Sequence, residues 1–260
     1  MHARFRSEQF NVVTCLPEVL SKPLHWRKPR VVFIDCADLF HEAVPDEFIA
    51  AVFGVMAACP QHTFLVCTKR AARMRKWFEW VSQRAPCMPE GGSHFCGTKA
   101  LEARAVSLPL SLTLPLWPLP NVWLGVTAED QQRADERIPL LLATPAAHRW
   151  ISCEPLLGPI NFSRAGEAAR KMGVSTISNP IDQVIAGAES GREMRPCANL
   201  WVQSVVDQCA EVRSRDGGKL VPCFVKQIHD GKRLVTDPAL FPAGLRVRDL
   251  AWQPATKGVG

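Results

Sequence analysis

The ten cysteines of this chain include no Cys-x-x-Cys and no Cys-x-x-x-Cys pair, so no local metal knuckle is encoded. No stretch reaches the ~17 to 25 apolar residues that a membrane helix needs. The nearest, Leu108 to Pro120, is too short, and four prolines interrupt it. The basic first residues, Met-His-Ala-Arg-Phe-Arg, are not followed by the apolar run of a secretion signal. No Gly-x-Gly-x-x-Gly follows the first apolar run, and no Walker-type loop occurs, which sets aside the usual nucleotide-binding forms of an open sheet. A cytoplasmic location with free thiols and no membrane partner is the expectation.

What is present is ordinary for a globular chain. The 260 residues are 47% hydrophobic and 22% charged, with a formal charge of +6. The excess is mild and spread along the chain, so it permits DNA or RNA as a partner without arguing strongly for either. Trp26-Arg-Lys-Pro-Arg30 and the Lys69, Arg70, Arg73, Arg75, Lys76 cluster carry that alternative, a non-catalytic nucleic-acid-binding module using a basic face.

Short apolar runs alternate with amphipathic helical patterns. Strands are expected at 30–35, 62–67, 121–126, 148–153, 182–187 and 220–225. Helices are expected at 45–58, 70–83, 128–143 and 200–210, with a short one at 166–172. Pro139 is expected to kink the third or end it early. Residues 85–120 read as an irregular insertion, and 231–260 as a weakly structured tail. About six parallel strands joined by right-handed crossovers then form a single α/β domain over 1–260, as an open sheet or a barrel-like one.

Every expected strand ends on charge. The ends are Asp35 with Asp38, Lys69-Arg70, Glu129, Glu154, Glu189 and Lys226. In parallel α/β architectures these ends share the face where ligands bind. Asp35, Asp38, His41, Lys69, Arg70 and Glu129 are therefore candidate substrate-binding residues. Glu154 stands before Pro155, and Glu189 is framed by Gly187 and Gly191. These carboxylates, set against Lys69 and Lys226, suit a ligand that carries both an amine and an acid. No serine or cysteine has a recognisable base beside it, which places a metal-independent hydrolase behind the other readings.

Particular segments carry a resemblance. They include Trp26 to Arg30, Asp38-Leu-Phe-His-Glu42, Asn121-Val-Trp-Leu-Gly-Val-Thr127 and Ala134 to Leu142. Ser152-Cys-Glu-Pro-Leu-Leu-Gly-Pro159, Gly187-Ala-Glu-Ser-Gly191 and Val221-Pro-Cys-Phe-Val-Lys-Gln227 complete the set. In this order, over 24–228, the chain resembles the phage Gp37/Gp68-like family (DUF5131), whose members look like radical S-adenosylmethionine proteins. The resemblance implies a partial (β/α) TIM-like barrel of phage or prophage type. It also implies S-adenosylmethionine and a [4Fe-4S] cluster as cofactors, with Glu154, Gly187, Glu189 and Lys226 facing the cofactor.

The chain departs from that pattern at the cluster. The relatives' Gly-Cys-x-x-Cys-Tyr-Ala loop is missing, tyrosine is absent altogether, and Cys15 stands alone in the first 30 residues. Relative to the family the chain reads as N-terminally truncated or degenerate for cluster chemistry. The barrel is then expected to open beside its first strand, with a protein partner or the 85–120 insertion covering the edge.

Overall fold

The computed structural model describes residues 12–35, 37–85, 90–102, 116–176, 178, 180–211, 220–231 and 233–252. Seven strands lie side by side in chain order. They are β1 (Val31–Ile34), β2 (Thr63–Thr68), β3 (Val122–Thr127), β4 (His148–Cys153), β5 (Gln183–Gly187), β6 (Cys223–Asp230) and β7 (Arg233–Val235). The pairings from β1 to β6 are parallel, and β7 returns antiparallel to β6 across Gly231, whose φ of 60° favours glycine. The sheet is curled and open, a half-barrel. Among the described residues β1 pairs with β2 alone and β7 with β6 alone, so these two strands are the edges of the open sheet.

Side chains on a strand alternate between faces, and the two faces of this sheet differ in chemistry. Phe64, Val66, Val122, Leu124, Val126, Ile151, Cys153, Val184, Ala186, Cys223 and Val225 point outward into one large apolar core. Helices α1 (Asp46–Ala57), α2 (Ala71–Ser82), α3 (Gly91–Glu102), α4 (Gln131–Ala143), α5 (Phe162–Lys171) and α6 (Asn199–Glu211) contribute its other wall. Trp77 on α2 anchors this layer. It is fully buried among Phe40, Phe53, Phe78 and Trp117, and its indole N–H donates to the Asp46 carbonyl at 3.1 Å.

Several elements differ from the sequence expectation. Within 85–120, α3 packs on α1 so closely that a Cβ at Gly54 would strike the Cys96 backbone. Its glycines and alanines weaken the periodic signal but permit that approach. Helix α4 runs through Pro139 to Ala143 rather than ending early. Ile138, Leu141 and Leu142 are buried, and Arg149 donates to the Leu141 and Thr144 carbonyls, which compensates at the helix end. Helix α5 starts earlier, at Phe162, because Asn161 caps it by accepting from the Ser163 N–H at 2.9 Å.

The region after Gly231 is structured where little periodicity was visible. Beyond β7, two short 3-10 turns bury Phe241 and Leu245, and Trp252 is buried on the inner face of the sheet. Gln183 holds this segment in place. Its amide donates to the Pro222 and Asp249 carbonyls at 3.0 Å each and accepts from the Ala251 N–H at 2.7 Å.

Candidate functional site

The concave face has an apolar base and a charged mouth. Leu65, Trp123, Trp150, Ile185 and Trp252 close the base, with Phe33 meeting Trp252 edge-on and His148 stacked on Trp123 at 4.3 Å. Above them, at the carboxyl ends of the strands, lies a cavity of about 470 Å³. Asp35, Asp38, Cys67, Thr68, Lys69, Arg70, Thr127, Trp150, Ser152, Glu154, Pro155, Ala188, Glu189, Ser190 and Lys226 line it. Nine of these follow the last residue of a strand, and on β4 Trp150 and Ser152 keep the two-residue period that puts them on one face.

Seven of the ten residues singled out in the sequence line this cavity: Asp35, Asp38, Lys69, Arg70, Glu154, Glu189 and Lys226. Glu129 lies just behind. It is buried and pairs with Lys69 at 3.2 Å and Arg137 at 2.8 Å. Gly187 is not in the lining; a Cβ there would sit against Gln227 and Lys226 at ordinary contact distance, 3.5 Å. His41 does not reach the cavity either, and its Nδ1 accepts from the Ala43 N–H at 3.1 Å in a local turn. Trp150 is the lining residue that inspection of strand ends passes over. It lies inside the strand, two and four positions before Ser152 and Glu154, and the two-residue period would have found it.

Electrostatically, the mouth is a ring of closed pairs. Asp38 accepts from Thr68 at 2.7 Å and from Arg70 at 2.8 Å, and Arg70 also bonds Glu42 at 2.8 Å. Lys226 bonds Glu154 at 2.7 Å. Arg195 grips Glu189 through its side chain and its backbone N–H, which holds that carboxyl at about 2, well below the ordinary range. Farther out on the basic cluster, Arg73 pairs with Asp46 at 2.6 Å and Arg75 with Glu79 at 3.1 Å, so four of its five cations are in ion pairs and Lys76 is not.

The described thiols do not fit an iron–sulfur cluster. A site-differentiated cluster takes several thiolates at one place. Of the described cysteines, Cys67 alone lines the cavity. Burial pushes its thiol up to about 12, with the Asp35, Asp38 and Glu129 charges adding to the shift, although a bond with Thr127 at 3.6 Å works the other way. Cys153 points into the outer core beside Cys223, where burial raises its thiol further. Cys15 packs on the outer core, and Cys36 lies outside the described residues. Among the described residues no group of three histidines, cysteines, aspartates or glutamates is placed to hold a metal. No described helix is long and apolar enough to cross a membrane.

The fold and cavity together define an open α/β half-barrel with a charged cavity mouth at its strand ends. Residues 1–229 match the family described as a protein of unknown function (DUF5131), and the chain belongs to that family. No curated protein and no solved structure matches it.

Proposed function

We propose that the chain is a radical-SAM-like half-barrel of phage or prophage type. It binds a small ligand bearing an amine and an acid, of which S-adenosylmethionine is the natural probe, without building a cluster from its described thiols. The observation that carries this reading is the convergence of Asp35, Lys69, Glu154 and Glu189, from four strand ends, and Lys226, from within β6, on one cavity. The Glu154–Lys226 pair supplies both halves of a zwitterion site. Once opened, the carboxylate accepts from an ammonium and the lysine donates to an acid. S-adenosylmethionine supplies an amino-acid end of that kind when bound. The nucleic-acid reading draws less support, because Lys69, Arg70 and Arg73 are already paired with Glu129, with Asp38 and Glu42, and with Asp46.

The test joins calorimetric titration with S-adenosylmethionine to iron and sulfide analysis after anaerobic reconstitution. Saturable binding, weakened roughly tenfold in Glu154→Gln or Lys226→Met, is expected together with sub-stoichiometric iron. A stoichiometric cluster, or binding indifferent to both replacements, overturns the reading.

A further inference from the structure

The two basic segments marked in the sequence fare differently in the structure. The cations of 69–76 pair with acids at the mouth and along α2, with Lys76 the exception. Those of 22–30 do not. Over 19–34 the chain holds Lys22, Arg27, Lys28 and Arg30 and no acid, and these four account for most of its net charge of +6. All four are exposed, with His25 exposed among them, and none forms an ion pair among the described residues. Acids accompany the cations along most of the chain, whereas here like charges stand together and leave a local positive field.

The segment is held in place from below. His62, 1% exposed just before β2, ties it at two points. The Arg30 backbone N–H donates to its Nδ1 at 3.2 Å, so the ring proton is on Nε2 and is donated to the Pro23 carbonyl at 3.0 Å. Asn121 donates to the His62 carbonyl at 3.1 Å and secures the histidine in turn. The Arg30 guanidinium lies 4.8 Å over the Trp26 ring, which also meets the His62 ring at 5.4 Å. The half-buried indole is therefore a brace for a cation and not a bare platform on which a base stacks.

This chemistry narrows the partner. Guanidinium forks and ammonium groups both bond phosphate oxygens, and a chain of singly charged phosphates matches a row of cations better than one small anion does. No large apolar side chain is exposed within 22–30, so the segment lacks the anchor that a membrane-surface element inserts. Arg30, His62 and Asn121 precede β1, β2 and β3, at the end of the sheet opposite the cavity, so the two surfaces do not compete.

We propose that the 22–30 segment is a docking surface for the phosphate backbone of nucleic acid, read by charge and not by base. This goes beyond the small-ligand reading of the cavity and stands without it.

The experiment follows the fluorescence anisotropy of short labelled DNA and RNA, single-stranded and duplex and of unrelated sequences, titrated with the full chain from about 50 to 200 mM salt. A Kd on the order of 10⁻⁵ M is expected for all of them near physiological salt, with log K falling against log salt at a slope of about −3, as about four neutralised phosphates require. Arg27→Ala combined with Lys28→Ala removes two exposed side chains that make no described bond. It is expected to weaken binding roughly tenfold and to reduce the slope by about 2. Lys76→Ala, which removes an unpaired cation elsewhere, and Glu154→Gln, in the cavity, are expected to change neither quantity. Absence of binding at low salt overturns the proposal, as does an affinity and slope unchanged in the double variant. An equal loss in Lys76→Ala, a strong preference for one base sequence, or capture of the chain by anionic phospholipid vesicles in place of nucleic acid overturns it as well.

Discussion

The two faces of the half-barrel are made by the same strands and obey different rules. Outward residues of β2 to β6 such as Val66, Leu124, Ile151 and Ala186 meet a helical layer and are buried, while Val32 and Ile34 on the edge strand β1 are only partly so. Inward residues one position away, including Cys67, Ser152 and Lys226, surround an open cavity. Even the thiols divide this way, Cys153 outward and Cys67 inward. Burial is therefore concentrated on the outer face and open, polar-lined space on the inner one. The described helices pack on the outer face, and the mouth charges of the inner face pair instead with one another and with residues of flanking loops and α4.

The sharpest way to break this comparison is to attack the outer face. Trp77→Ala removes a fully buried ring from the α1–α2 aromatic cluster and is expected to cost about 3–5 kcal/mol, read as a fall in the urea midpoint. A loss near that of an exposed residue would mean that the outer layer is not the stabilising one. The inner face is expected to be less costly to disturb. Gln183→Ala strands the Ala251 N–H and the Asp249 carbonyl, which hold the segment carrying Trp252 across the base. About 1–3 kcal/mol is expected, together with faster proteolysis after residue 235. Unchanged proteolysis would show that Trp252 packing alone seats the segment.

How legible the molecule is from its residues follows the same division. Strands β1 to β5 were visible because of their continuous apolar runs, and the charge after them marked six cavity residues, with Lys226 of β6 the seventh. Helix α3 was not, since Gly91, Gly92 and Gly97 blur its apolar stripe and its place depends on fitting against Gly54. The segment after Gly231 was hidden for another reason. Its order comes from Gln183 and Trp252, contacts across more than sixty residues of sequence that no local period records. Trp150 read as one apolar residue of a strand, and the room for its ring comes from Gly125 of a different strand. Three mouth pairs join residues the sequence already marked, whereas the contributions of Arg195, Arg137 and Glu42 were invisible because they reach the site from loops and a helix.

The smallest expected effect tests whether those mouth pairs are structural. Glu189 is held at about 2 by the Arg195 guanidinium and backbone N–H, against an ordinary value of 4.5. A carboxyl depressed on folding contributes stability that is fully present above its unfolded value and is lost as pH falls through the folded one. The window is thus pH 4.5 down to about 2. Arg195 is 58% exposed, so solvent screens most of the pair and no more than about 1 kcal/mol is expected at neutral pH. Urea unfolding of Glu189→Gln and the parent across this window should show curves that differ slightly above pH 4.5 and converge toward pH 2. A difference of several kcal/mol would make this pair part of what holds the open barrel in shape. A difference that persists at the acid end would mean the glutamate acts through packing rather than charge. A small, converging difference leaves the pair as a screened lock on the rim, which an entering ligand can open at little cost.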